Sequence, residues 1–111
     1  MDDIKISILD FSEYPGPRYK IQGNNSGEQF YEEFIKPNFD KAIKNDKKLI
    51  VDLDGAAGFA SSFLDEAFGR LTKKYSLEVI YNTLEIISEE ETSWIDVIFK
   101  EILPQWNSEK D

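Results

Sequence analysis

The sequence predicts a single α/β domain over residues 1–111, with a mostly parallel or mixed sheet of about four strands and helices packed against it. Three observations predict this. Ile4, Ile6 and Ile8 alternate with Lys5 and Ser7, the period of a half-buried strand. Residues 48–54 hold the apolar run Leu49-Ile50-Val51, expected of a central strand buried on both faces. Between and after these runs, apolar residues recur at helical spacing. The resulting order β-β-α-β-α-β-α implies parallel strands joined by right-handed crossovers.

Taken in order, Tyr14-Pro15-Gly16-Pro17 breaks the first strand, and residues 18–22 are expected to pair back as a second. Gly23-Asn24-Asn25 turns the chain, and Ser26 caps a helix over 27–44. That helix carries Phe30, Phe34, Ile35, Phe39, Ala42 and Ile43 along one side. Pro37 falls inside the pattern and predicts a kink or a split, because it lacks the backbone donor and crowds the preceding turn. After the central strand, a helix over 62–75 buries Leu64, Ala67, Phe68, Leu71 and Tyr75. Residues 77–81 read as the fourth strand. Residues 82–91 fit either a short strand or a packed loop through Leu84, Ile86 and Ile87. Thr92 or Ser93 caps the last helix, with Asp96 three residues after Ser93, and its apolar face is Ile95, Ile98, Phe99, Ile102 and Trp106.

Charge and composition narrow the function. With 22 acidic against 13 basic residues the formal net charge is −9, which disfavours nucleic acid and anionic membrane as partners. The chain has no cysteine and no histidine, so thiolate nucleophiles, imidazole bases and their metal sites are excluded. No cofactor is expected. No stretch is apolar and long enough to span a bilayer, and the acidic start is unlike a secretory signal, so a cytoplasmic protein is the expectation.

In a parallel sheet, sites form beyond the carboxyl ends of the strands, where residues 54–61 fall. At the end of that loop Ser61 and Ser62 stand where a helix must begin. Helix starts leave backbone N–H groups unpaired, so a serine there can cap the helix or carry a phosphate. As a capping box, Ser62 accepts from the amide of Asp65 while Asp65 reaches back. Ser61 then sits just outside the helix; the alternative, functional reading makes Ser61, with Ser62 beside it, the candidate phosphoacceptor. Phe59 and Phe63 flank the serines as core residues or as anchors for a partner. Asp52-Leu53-Asp54-Gly55 also resembles the first motif of haloacid-dehalogenase-type phosphatases, in which paired aspartates work with magnesium; Ala56 replaces the expected hydroxyl residue, and no downstream aspartate pair completes the metal site. Gly23-Asn24-Asn25-Ser26-Gly27 reads as a turn into a helix, since a phosphate-cradling loop would carry a lysine.

The run from Leu49 to Leu71, with its strand ending in aspartate, Ser61-Ser62-Phe63-Leu64 and Gly69-Arg70-Leu71, resembles the core of STAS domains, the fold of bacterial anti-sigma-factor antagonists. It is closer still to a STAS-like family of small bacterial proteins. The resemblance implies a non-enzymatic regulatory module whose partner is a histidine-kinase-like ATPase or anti-sigma factor. It implies Ser61 as the phosphorylated serine, Ser62 as the small residue after it, and a partner surface through Asp54, Phe59, Phe63 and Asp65. Ala60 stands where antagonists carry aspartate and Phe63 where they carry glycine. Two rivals remain: a constitutive interaction subunit without phosphorylation, and a magnesium-dependent phosphatase using Asp52 and Asp54.

Overall fold

A computed structural model describes residues 2–110. Among them, three strands form one parallel sheet in the order β1 (Ile4–Ser7), β2 (Leu49–Asp52), β3 (Leu84–Ile87). Ile4 pairs with Leu49 and Leu49 with Leu84, so Ile4, Leu49 and Leu84 share a face with Ile6, Val51 and Ile86 two residues on. That face joins the core, where Leu49 and Val51 are fully buried. The opposite face carries Lys5, Ile50 and Glu85, then Ser7, Asp52 and Ile87, and none of these is buried. The central strand is thus covered on one face rather than the expected two. Ion pairs Lys5–Asp52 (3.9 Å) and Lys48–Glu85 (3.3 Å) lie along the open side.

The first strand stops earlier than its alternation suggests. Ser7 accepts from the amide of Leu9 (3.2 Å) and starts a single helical turn, α1 (Ile8–Phe11), while Ile8 stays buried. Residues 18–22, expected as a second strand, form a loop ending in a 3₁₀ turn, Lys20–Gln22. The reason lies in the next helix. The carbonyls of Pro17 and Arg18 accept from the amides of Gly27 (2.9 Å) and Glu28 (3.0 Å), so this backbone satisfies helix-start donors instead of joining the sheet.

Ser26 caps α2 (Gly27–Phe30) as expected, accepting from the amide of Gln29 at 3.0 Å. The helix then loosens into a π-helical turn, Tyr31–Ile35, before α3 (Lys36–Lys44). Pro37 lies in the first turn of α3. The wider turn accommodates a residue without an N–H, and Asn38 Nδ2 donates to the carbonyl of Phe34 at 2.7 Å. The last helix repeats the device: α6 (Ser93–Asp96) passes through a π-helical turn, Val97–Ile102, into α7 (Leu103–Glu109), with Pro104 in its first turn. Neither Thr92 nor Ser93 caps it, for the Ser93 hydroxyl donates to Glu91 Oε1 at 2.7 Å and the box with Asp96 does not form. Ile43, expected on the inner side of its helix, is 38 % exposed.

Residues 77–81 are helical, not a strand. Ser76 accepts from the amide of Val79 (3.2 Å) and starts α5 (Leu77–Thr83), and the strand follows at Leu84–Ile87. The helix after the central strand is α4 (Ser61–Gly69), continued by a 3₁₀ turn, Arg70–Lys73. Leu64, Ala67, Phe68 and Leu71 are fully buried, while Tyr75 is half-buried. Phe11, Phe30, Phe34, Phe59 and Phe63 form one aromatic cluster with ring centroids 5.0–6.3 Å apart, tying α1, α2 and α4 together. Among the described residues, no helix is long and apolar enough to cross a membrane.

Candidate functional site

The start of the loop after β2 is fixed by carboxylates. Asp52 Oδ1 accepts from the amide of Asp54 (2.9 Å), and Asp54 accepts from the amides of Glu89 (3.1 Å) and Glu90 (3.0 Å). Glu90 answers by accepting from the amide of Gly55 at 2.5 Å. Gly55 needs its glycine, since its φ is +98° and a Cβ would stand 2.6 Å from Leu9. Asp54 is therefore a clamp between the loops that follow β2 and β3. Both aspartates of the phosphatase-like motif bond backbone amides. Among the described residues, no group of three or more carboxylates is arranged to hold a metal ion.

At the far end of the loop, α4 begins one residue earlier than expected, at Ser61. Ala60 occupies the cap position, with β-region backbone but no side chain able to cap, and its carbonyl accepts from the amide of Phe63 at 3.0 Å. The capping box of Ser62 with Asp65 does not form. Asp65 is held elsewhere: Arg18 Nη1 donates to its Oδ2 at 2.5 Å and Trp106 Nε1 to its Oδ1 at 3.0 Å. Ser61 is exposed and Ser62 half-buried. Phe63 is fully buried at 5.8 Å from Phe30, so its ring belongs to the core rather than to a partner surface. Phe59 is half-buried and lines a cleft of about 330 Å³ with Asp54, Gly58, Glu90, Glu91 and Trp94. The structure thus brings Asp54 and Phe59 to one cleft, and Ser61, Ser62 and Asp65 to another.

That second cleft, also about 330 Å³, lies between α4 and the last helix and is lined by Arg18, Ser61, Ser62, Asp65, Glu101 and Gln105. Beneath it runs a charge network. Glu66, only 2 % exposed, accepts from Arg18 Nη1 (3.2 Å) and Arg70 Nε (2.5 Å), and Arg70 reaches Glu28 at 3.4 Å. Burial alone would lower the pKa of Arg18, but the hydrogen bonds and charges of Asp65 and Glu66 outweigh it and hold the pKa above its ordinary value. Burial and Glu66 act on Arg70 in the same way. Trp106 packs on Gly69, where a Cβ would meet the indole at 2.3 Å. Sequence reasoning did not bring Arg18, Glu66 and Trp106 together here, because their contacts with Asp65 and with one another depend on the fold. Only the Glu66–Arg70 spacing of four was readable locally.

A three-strand parallel sheet with helices packed against it makes this a small α/β domain, in which the loop at the carboxyl end of the central strand leads to an exposed serine opening the next helix. Residues 26–94 match the family model described as the STAS-like domain of unknown function (DUF4325), and the chain belongs to that family. No curated protein and no solved structure matches the chain.

Proposed function

We propose that the domain is a non-enzymatic regulatory binding module whose partner is a histidine-kinase-like ATPase or anti-sigma factor, switched by phosphorylation of Ser61. The observation that carries this reading is the position of Ser61. It is exposed on the first turn of a nine-residue helix whose start has no side-chain cap. Uncapped amides and the positive end of the helix dipole tolerate a phosphate there. The family membership supports the antagonist-like fold on which such a switch would rest.

In the modification step the partner binds a nucleoside triphosphate. A bond forms between Ser61 Oγ and the γ-phosphorus as the bridging bond to the β-phosphate breaks. The diphosphate leaves with the electron pair, and the hydroxyl proton passes to a base of the partner. A cytoplasmic location goes with this reading, since that is where the triphosphate is. The docking surface is the loop 54–60 with the first turn of α4, through Asp54, Phe59, Ser61 and Ser62. Nearly two added negative charges on it weaken the association. Phe63 contributes by holding α4 against α2 from inside.

The test has two parts. Phosphopeptide mapping of protein isolated from its host in growth and stress should find phosphate on Ser61. The ATPase that co-purifies should bind Ser61→Ala with wild-type affinity and Ser61→Asp at least tenfold more weakly. Unmodified peptide in every condition, or equal affinity of the two variants, leaves a constitutive interaction subunit in its place.

A further inference from the structure

We propose that Arg18 is the built-in receptor for a phosphate on Ser61, binding it through the edge of its guanidinium that Asp65 and Glu66 leave unused. The inference rests on the reading of Ser61 as the modified residue and adds what the phosphate does once attached. Four observations carry it.

First, Arg18 and Ser61 line the same cleft of about 330 Å³. Second, Ser61 and Asp65 are four residues apart on α4, which puts their side chains on one face with Cβ atoms about 6 Å apart. Arg18 touches Asp65 at 2.5 Å, so its guanidinium already stands one turn from the acceptor. Third, both ion pairs of Arg18 use the same nitrogen, Nη1. Among the described residues, no carboxylate engages Nε or Nη2. That pair of donors is the fork that takes phosphate bidentately, more strongly than a single contact. Fourth, the Arg18 side chain is 29 % exposed, so a phosphate in the cleft can reach it.

Charges around the cleft set the competition. Asp65, Glu66 and Glu101 oppose the phosphate, and beyond Arg18 the cations near this face, Arg70 and Lys73, lie in the adjoining cleft. A dianion on the free edge draws the guanidinium towards itself, and the Arg18–Asp65 pair on Nη1 loosens. Arg18 also belongs to the backbone that closes the start of α2, through its carbonyl to Glu28. Its neighbour Tyr19 (41 % exposed) lines the adjoining cleft, and Ile21 (94 % exposed) stands out into solvent on the same loop. Motion of Arg18 therefore carries the state of Ser61 to a second patch of surface.

The experiment uses the full chain with phosphoserine installed at position 61 during synthesis, so no kinase is needed. The Arg18 Nε–H signal is followed by proton–nitrogen NMR, and the phosphate is titrated by phosphorus NMR. Phosphorylation should slow exchange of the Arg18 Nε–H at least tenfold. The second phosphate pKa, ordinarily about 6, should fall by half a unit or more below its value in a peptide of residues 57–67. Arg18→Gln should abolish that fall. Arg18→Lys keeps the charge but loses the fork, and should retain only part of the fall if the glutamine variant does not fold. An unchanged Arg18 Nε–H signal, or a phosphate pKa equal to the peptide's, overturns the proposal. Neither result bears on whether cells phosphorylate Ser61, which the mapping decides separately.

Discussion

A Cβ on Gly27 would stand 2.3 Å from the carbonyl oxygen of Phe63 and 3.1 Å from its carbonyl carbon. The start of α2 therefore meets the first turn of α4 backbone to backbone, with no side chain between them. Because the obstacle is main chain, it cannot swing aside. Gly27→Ala is expected to destabilise the domain by about 1–3 kcal/mol, the cost of overpacking, although alanine is the better helix former by about 1 kcal/mol. Urea unfolding read by tryptophan fluorescence checks this. A variant as stable as wild type would show that the two helices can separate freely.

The burial of Glu66 between Arg18 and Arg70 makes it the keystone of the charge network. Glu66→Gln keeps the shape but removes the charge that both guanidiniums face. Buried pairs lose about 3–5 kcal/mol when one partner goes, but both arginines are more than a fifth exposed and water recovers part of that. A loss of about 1–3 kcal/mol follows. The same variant should increase amide exchange in residues 18–22, whose tether to α4 runs through Arg18.

How much of this could be read from the sequence depends on how local the cause is. Ser26, the apolar run at 49–51 and the buried face of α4 obey rules that operate within one turn or one strand, and all were legible. The helix at 77–83 was not, because the β-branched pair Val79-Ile80 imitates a strand, while the signal that decides it, the Ser76 cap, is a single hydroxyl. Residues 18–22 failed for another reason, since their backbone is claimed by the start of α2. At the candidate site the exposure of Ser61 was legible. The fate of Asp65 was not: its partners, Arg18 and Trp106, lie 47 and 41 residues away in sequence, and only the fold brings them together.

The Tyr75 hydroxyl donates to Asp40, and the pair gives the domain a pH dependence at both extremes. Burial, with the hydrogen bond and charge of Asp40, pushes Tyr75 up to about 12. Its folded pKa exceeds the unfolded one, so the stabilisation is complete below pH 10 and is lost as pH rises towards 12. For Asp40, burial raises the pKa, but the bond from Tyr75 and the ammonium of Lys74 outweigh it, and the pKa falls below its ordinary value of 3.8. That contribution is present above pH 3.8 and disappears as pH drops through the lowered value. Tyr75→Phe should flatten both limbs of the curve of melting temperature against pH. Parallel curves for the variant and wild type between pH 9 and 12 would show that the bond does not form in solution.

Ala60 offers the one site where the start of α4 can be improved, and improving it bears on Ser61. Its φ of −82° and ψ of 143° are those of a helix cap, yet alanine brings no acceptor to the free amides of the first turn. Ala60→Ser supplies one without altering the backbone and should stabilise the domain by about 0.5–1 kcal/mol. Ala60→Asp should gain at least as much, because a carboxylate also meets the positive end of the helix dipole. The two variants part company once Ser61 is phosphorylated. The aspartate then adjoins the phosphate and competes with it for the same amides, so its gain should shrink or vanish, whereas the neutral serine should keep more of its own. Urea midpoints for the two variants, with and without phosphoserine at position 61, make the comparison. Equal gains for serine and aspartate in the phosphorylated protein would mean that the phosphate does not sit at the helix start.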